Sequence, residues 1–281
     1  MYDAAPSTRD AALARADGSA TIELGIDDAG RTVLARLGQR SPVRVVLPRA
    51  EGPEAVAVLL NTAGGVCGGD RLALEARVGA GAKATLVGQA AEKIYRALDR
   101  PAAIRTRLEV GQAAVLHWAP QETLLFDGAR LERRTELRAA GDARLLAAET
   151  LVFGRRAMGE VVRALHLRDE WRLFRSGRLV WADSLRLAGP DALGAASGFA
   201  GREALCTLVF VGDGLEAACD AARATLGAGG IAGGASIVNG VVVARALGAA
   251  AEIRRALTRL LSTLRGDGLG FAPALPRVWS C

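Results

Sequence analysis

Asn61-Thr62-Ala63-Gly64-Gly65-Val66-Cys67-Gly68-Gly69-Asp70-Arg71 sets two glycine pairs four residues apart and closes them with an acid and a base. The stretch joins two runs of strand character. Ala55 to Leu60 is continuously apolar, which suits a strand buried on both faces; after the loop Leu72, Leu74, Ala76 and Val78 fall on one side, with Arg71, Glu75 and Arg77 on the other. Glycine tolerates positive φ and the close approach of another backbone, so four glycines in six positions mark a tight structural corner. A phosphate cradle does not fit. A P-loop needs Lys-Ser/Thr after its last glycine to reach the β and γ phosphates, whereas Asp70-Arg71 stands here and the carboxylate repels such a ligand. The dinucleotide fingerprint is absent from the loop, and the next run repeats every two residues, not every 3.6.

Working outward, short strands are expected on both sides. Thr21 to Gly25, Arg31 to Leu37 and Val43 to Leu47 precede the loop, separated by Asp27-Asp28-Ala29-Gly30 and by Pro42. After it come Ala84 to Val87, the alternating Ile104, Thr106, Leu108 and Val110, then Val115 to Trp118 and Glu122 to Phe126. Asp127-Gly128 is the strongest short hairpin motif of the chain. The following strand places Ala129, Leu131, Thr135 and Leu137 on one face, which Arg133 breaks; Leu145 to Phe153 is apolar apart from Glu149. Further strands are expected over Val161 to Leu167, Trp171 to Phe174 and Leu179 to Leu187, with a turn at Ser176-Gly177. Helical spacing enters only late: Leu215, Ala218, Cys219, Ala222 and Leu226 line one helix ended by Gly227, and Ile253, Leu257, Leu260, Leu261 and Leu264 line another ended by Gly266. Between them Ile237 to Ala244 reads as a strand. No repeat of fixed period and no linker divides the chain. The expected fold is mainly β, a single domain of many short strands, β-helix-like or in stacked sheets, with two α-helices in the C-terminal half. Residues 1–18 are expected to be a flexible tail and residues 19–281 the domain.

Of the 281 residues 51% are hydrophobic and only 4% aromatic, so the core must be built from Leu, Val and Ala. The formal net charge of +6 permits an acidic partner. Lysine occurs only at Lys83 and Lys93, and the arginines alternate with acids, as in Arg130, Glu132, Arg133, Arg134, Glu136 and Arg138, which describes a solvated face and no nucleic-acid patch. Cys67, Cys206, Cys219 and Cys281 are far apart, and neither His117 nor His166 has a neighbour at ligand spacing, so reduced thiols and no structural zinc are expected. No apolar stretch approaches a membrane span, and the expected location is the cytoplasm, with no membrane partner.

The glycine loop together with Gln89-Ala90-Ala91-Glu92-Lys93-Ile94-Tyr95-Arg96 resembles the urease accessory protein family known as UreD or UreH. Three further stretches agree, in the family's order: Pro120 to Ala129 (PQETLLFDGA), Phe153 to Glu160 (FGRRAMGE) and the ending Pro276-Arg277-Val278-Trp279. The resemblance implies a mostly β scaffold without catalytic activity that binds urease subunits and, through a UreF-type partner, a UreG-type GTPase. It implies a hetero-oligomer, with dimerisation inside it left open, no tightly bound cofactor, and transient nickel passing inward to the urease centre.

A relay of Ni²⁺ must bind weakly enough to let go, which suits isolated carboxylates better than a closed set of thiolates or imidazoles. Asp70, Glu92, Glu122, Asp127, Glu149 and Glu160 lie in or beside the matching motifs and are the candidate nickel route; ion pairing with Arg71, Lys93 or Arg155 is the plainer role for each. Arg277 and Trp279 are the candidate partner contacts, since Arg and Trp are enriched at interfaces. The alternative is a cysteine-dependent enzyme with Cys67 as nucleophile and His117 as base.

Overall fold

A computed structural model describes residues 15–49, 52, 54–228 and 230–280. The chain enters through a hairpin of β1 (Asp17–Ile26) and β2 (Thr32–Arg40), followed by β3 (Val43–Val46). From there it winds between two sheets. β4 (Ala55–Asn61) leads through the glycine loop to β5 (Arg71–Val78) in the opposite sheet. The second coil is β6 (Lys83–Gly88), a short corner strand β7 (Glu92–Ile94) and β8 (Ala102–Val110); the third is β9 (Val115–Ala119), β10 (Thr123–Leu125) and β11 (Ala129–Ala139). The fourth runs from β12 (Arg144–Phe153) to β13 (Leu165–Arg175). Within each sheet the successive coils pair in parallel, as crossovers through a second sheet demand. The starts at Ala55, Lys83, Val115 and Arg144 are unevenly spaced, which is why no fixed period shows in the sequence.

The remaining elements close the ends. β14 (Arg178–Ala188) turns back antiparallel on β13; after the single helical turn α1 (Asp191–Gly194), β15 (Ala204–Val211) pairs antiparallel with β12. Helix α2 (Leu215–Leu226), the hairpin β16 (Ala232–Val238) and β17 (Val241–Gly248), and helix α3 (Ala250–Leu264) complete the chain. The sheet orders are β14-β13-β11-β8-β5-β1-β2 and β16-β17-β15-β12-β9-β6-β4-β3. One apolar cluster fills the space between the sheets, and a second lies between the larger sheet and the apolar stripes of α2 and α3, where Cys219 is buried. Strands β12 and β15 face both clusters and are buried along almost their whole length.

Several local expectations are corrected. Asp127-Gly128 is a corner of the winding and no hairpin, because the strand after it pairs in parallel with β8 and β13. Asp127 Oδ1 accepts the backbone N–H groups of Arg163 and Ala164 from the next coil instead of closing a two-residue turn. Two-residue hairpins with both φ positive stand instead at Ser176-Gly177, with φ of 49° and 79°, and at Asn239-Gly240, with φ of 48° and 75°, so Ile237 to Ala244 is two strands. Val161–Ala164 is not strand, and the two runs expected over 161–174 are the single β13. β1 begins at Asp17, inside the segment expected to be tail; residues 1–14 and Cys281 lie outside the described residues. α3 stops at Leu264 and continues as a π turn, Arg265–Leu269, because the Arg265 guanidinium is drawn inward. There it donates to Thr85 Oγ1 (2.9 Å), Glu54 Oε1 (2.8 Å) and the Ala272 carbonyl (3.1 Å), and meets His117 Nδ1 at 2.8 Å.

The glycine loop is a docking corner for the second coil. Val66 pairs with the chain at Lys93 and Tyr95 through two backbone hydrogen bonds, extending a third, short ladder formed by β7, β10 and the end of β12. A Cβ on Gly65 would overlap the Tyr95 ring and stand 3.0 Å from the Lys93 carbonyl oxygen. Gly65→Val is therefore expected to cost about 1–3 kcal/mol, the scale of overpacking, read as a shifted urea midpoint; an unchanged midpoint contradicts this packing. Arg265→Met strands the buried Glu54 carboxylate and is expected to cost on the order of 3–5 kcal/mol, with Glu54→Gln in the same background recovering part of it.

Candidate functional site

The parity of the strands sets what faces the inter-sheet space. On β11 the inward positions are Ala129, Leu131, Arg133, Thr135, Leu137 and Ala139, and on β13 they are Leu165, Leu167, Asp169, Trp171 and Leu173. Parallel register makes Arg133 and Asp169 direct neighbours. From the facing sheet β12 brings Glu149 and β9 brings Trp118. Arg133 donates from Nε and Nη2 to the two oxygens of Asp169, each at 2.8 Å, a bidentate fork. Its Nη1 donates to Thr123 Oγ1 at 3.2 Å and lies 3.1 Å from Glu149 Oε2. Glu149 Oε1 accepts from Trp118 Nε1 (2.8 Å) and Thr135 Oγ1 (3.1 Å). Oε2 is held by charge alone, since its approach to Arg133 lacks hydrogen-bond geometry.

Two carboxylates thus share one guanidinium at a buried position. Burial pushes Glu149 above the ordinary carboxylate range; Asp169 adds to that rise and Arg133 opposes it. Burial alone would disfavour the charge on Arg133, but Asp169 and Glu149 together hold it firmly protonated.

A cavity of about 290 Å³ runs from this cluster to the surface. Its buried wall includes Trp118, Arg133 and Glu149, and its outer rim includes Asn61, Gly64, Gln89 and Glu92. Glu92 Oε1 accepts from Asn61 Nδ2 at 3.0 Å; burial raises its pKa, against the hydrogen bond from Asn61. The glycine loop, whose Asn61 and Gly64 form part of the rim, and the Gln89–Lys93 stretch therefore meet in space at the entrance, with acids at the rim and at the inner wall.

The six candidate acids are divided by the fold. Glu92 and Glu149 line the cavity; the other four do not. Asp70 accepts the backbone N–H groups of Ala16 (2.8 Å) and Cys67 (2.7 Å) and ties the glycine loop to the entry strand. Glu122 is clasped by Arg254, at 2.7 and 2.9 Å. Asp127 holds its corner through backbone N–H groups, which lower its pKa, and Glu160 is lowered by hydrogen bonds from Arg155. Trp279 is buried against α3, donating from Nε1 to the Ala119 carbonyl with Arg254 over its ring, while Arg277 is exposed. Cys67 and His117 do not meet: neither lines the cavity, and His117 sits on the helix side of β9, its Nδ1 on Arg265. Burial, and then the charge of Arg265, keeps that imidazole neutral far below its usual range. Among the described residues no three His, Cys, Asp or Glu side chains converge at metal-ligating distance. The role of Asp169 is not foreseen in the sequence, yet its sign is there: an acid at an inward position of an alternating strand, as Arg133 is on its neighbour.

The raised pKa of Glu149 has a measurable consequence. Between the ordinary value of 4.5 and its higher value in the fold, the folded chain binds more protons than the unfolded one, so this residue makes stability fall as pH rises through that window. Glu149→Gln lacks the titrating group. Urea unfolding from about pH 4 to 8 is expected to show wild-type stability declining relative to the variant with rising pH; parallel curves contradict it.

Comparison with known proteins finds similarity along almost the whole chain. The family described as UreD urease accessory protein matches residues 17–280. The chain is 44% identical to the urease accessory protein UreD of Methylobacterium sp. (strain 4-46), over 94% of this chain and 95% of that one. It is 41% identical to the UreD of Azorhizobium caulinodans over 92% and 95% of the two chains, and 45% identical to that of Xanthobacter autotrophicus over 89% and 86%. The chain belongs to the UreD family of urease accessory proteins.

Proposed function

We propose that this protein is a non-catalytic scaffold of urease maturation in the cytoplasm, binding apo-urease together with a UreF-type and UreG-type complex and supporting the passage of nickel into the urease active site. Membership of the UreD family across residues 17–280 carries the reading. The cavity adds a physical route for the cargo. Nickel stands high in the affinity order of divalent ions, so a closed set of nitrogen and sulfur ligands would keep it. Separate carboxylates at the rim and on the inner wall attract a hydrated cation and release it. Glu92 gives the entering ion its first oxygen, and Glu149 offers Oε2, the oxygen that no hydrogen bond occupies. Arg133 keeps the inner acid from carrying a full uncompensated charge, which weakens its hold on the metal.

Described helices offer no span long and apolar enough to cross a membrane. The scaffold works through contact surfaces and makes no bonds itself, so Cys67→Ala is expected to leave maturation intact. Co-expression with urease subunits and a UreF-type partner is expected to yield a co-purifying complex. Glu92→Gln with Glu149→Gln should keep that complex but lower nickel incorporation into urease by roughly tenfold, the scale at which altered metal-site partners reduce affinity. Components that purify separately contradict the scaffold; full nickel incorporation with both acids removed contradicts the route.

A further inference from the structure

A second cavity, of about 340 Å³, opens on the outer side of the smaller sheet, at the corner where β10 passes into β11. Three arginines from three separate segments line it: Arg96 after β7, Arg130 on β11, and Arg163 before β13. His166 joins them and is the register partner of Arg130 on the neighbouring strand. Within the described residues none of these three guanidinium groups lies within ion-pair distance of a carboxylate, unlike most arginines of that face, such as Arg107, Arg134, Arg138 and Arg168. Arg130 Nε is buried and has no hydrogen-bond partner among the described residues.

The local backbone holds this arrangement. Arg96 bridges to Ala129, and its stem lies across Gly128, whose φ of 76° and missing side chain leave the space; a Cβ there would stand 2.7 Å from Arg96 Cγ. Asp127 is the nearby acid, and the charges of Arg163 and Arg96 help to keep it ionised. Its Oδ1 is committed to the backbone N–H groups of Arg163 and Ala164, at 2.6 and 2.9 Å, and it does not line the cavity. The guanidinium groups are therefore gathered without being neutralised by direct pairing.

We propose that this cavity is an anion site for a compact diphosphate group, carried by a small molecule or free as pyrophosphate. Planar guanidinium forks match phosphate oxygens in pairs, and a desolvated Nε–H with no internal partner is costly unless a ligand oxygen takes it. Three forks and an imidazole arriving from different segments exceed what one phosphate can occupy, and the volume is at the lower end of small-molecule sites. The walls contribute Ala97, Ala129 and Leu165 but no Phe, Tyr or Trp ring, so the charged group and not a stacked base is what the site reads. This site is separate from the acid-lined cavity, and its occupancy does not depend on the nickel reading.

Calorimetric titration of the full chain with pyrophosphate tests the assignment, with ADP and citrate as parallel ligands. Saturable binding of pyrophosphate is expected, weakened by roughly tenfold or more in Arg130→Gln and in Arg163→Gln, the loss that follows removal of one charged hydrogen bond. Arg163 is exposed, so its variant keeps the test open should Arg130→Gln fold poorly. Arg255→Gln, on the exposed face of α3 beyond the other sheet, should bind as the wild type does. Tighter binding of ADP assigns the diphosphate to a nucleotide; equal binding assigns it to the group alone. Absence of saturation, equal weakening by all three substitutions, or a preference for citrate overturns the proposal.

Discussion

One guanidinium between two sheets stands under the whole arrangement. Arg133 must satisfy Asp169 beside it and Glu149 across from it, all three buried. Removing a single partner would leave a buried charge uncompensated, which is far more costly than never having placed the ions there. Apolar residues of similar volume could fill such a space at no loss of stability, so the cluster is not explained by a need for stability. It stands on the inner wall of a cavity that enters the inter-sheet space, and it keeps an acid there where apolar packing would fill the gap.

The winding of the chain is what makes that cluster possible. Parallel coils stack like positions upon like positions, so an inward Arg on β11 meets an inward Asp on β13 without any loop being involved. Corners decide where the two sheets part. At the glycine loop and the Gln89–Tyr95 stretch the backbones come close enough for Val66 to join the short third ladder, and the rim of the cavity is built from these same residues. At the opposite side, α3 and its π turn lock the outer face of the larger sheet through Arg254 and Arg265. These two arginines hold the C-terminal segment down, Arg254 through the Trp279 carbonyl and Arg265 through that of Ala272.

Much of this was legible in the residues. Period-two alternation in 71–78 and 129–139 identified strands and their inward faces, and helical spacing located α2 and α3, because burial on one face writes itself directly into the order of apolar residues. The interruptions Arg133 and Glu149 were visible as charges on apolar faces, but their mutual contact was not, since it depends on the distance between sheets. Pairing was the least legible feature. Asp127-Gly128 has the chemistry of a hairpin turn, yet the same left-handed glycine serves equally at a corner between sheets, and only the partners of the next strand distinguish them. Likewise, six acids in matching motifs were indistinguishable by type. Four serve backbone N–H groups or arginines, and two face a cavity, because that choice is made by side-chain direction after the corners are formed.

The claim that an acid-lined cavity conducts the cargo can be observed on the metal itself. Anomalous scattering at the nickel edge, from crystals of the assembled maturation complex soaked with nickel, is expected to place the ion within the cavity beside carboxylate oxygens of Glu92 or Glu149. That density should vanish when both are replaced by glutamine. Nickel found only on other chains of the complex, with this cavity empty in the wild type, would contradict the account.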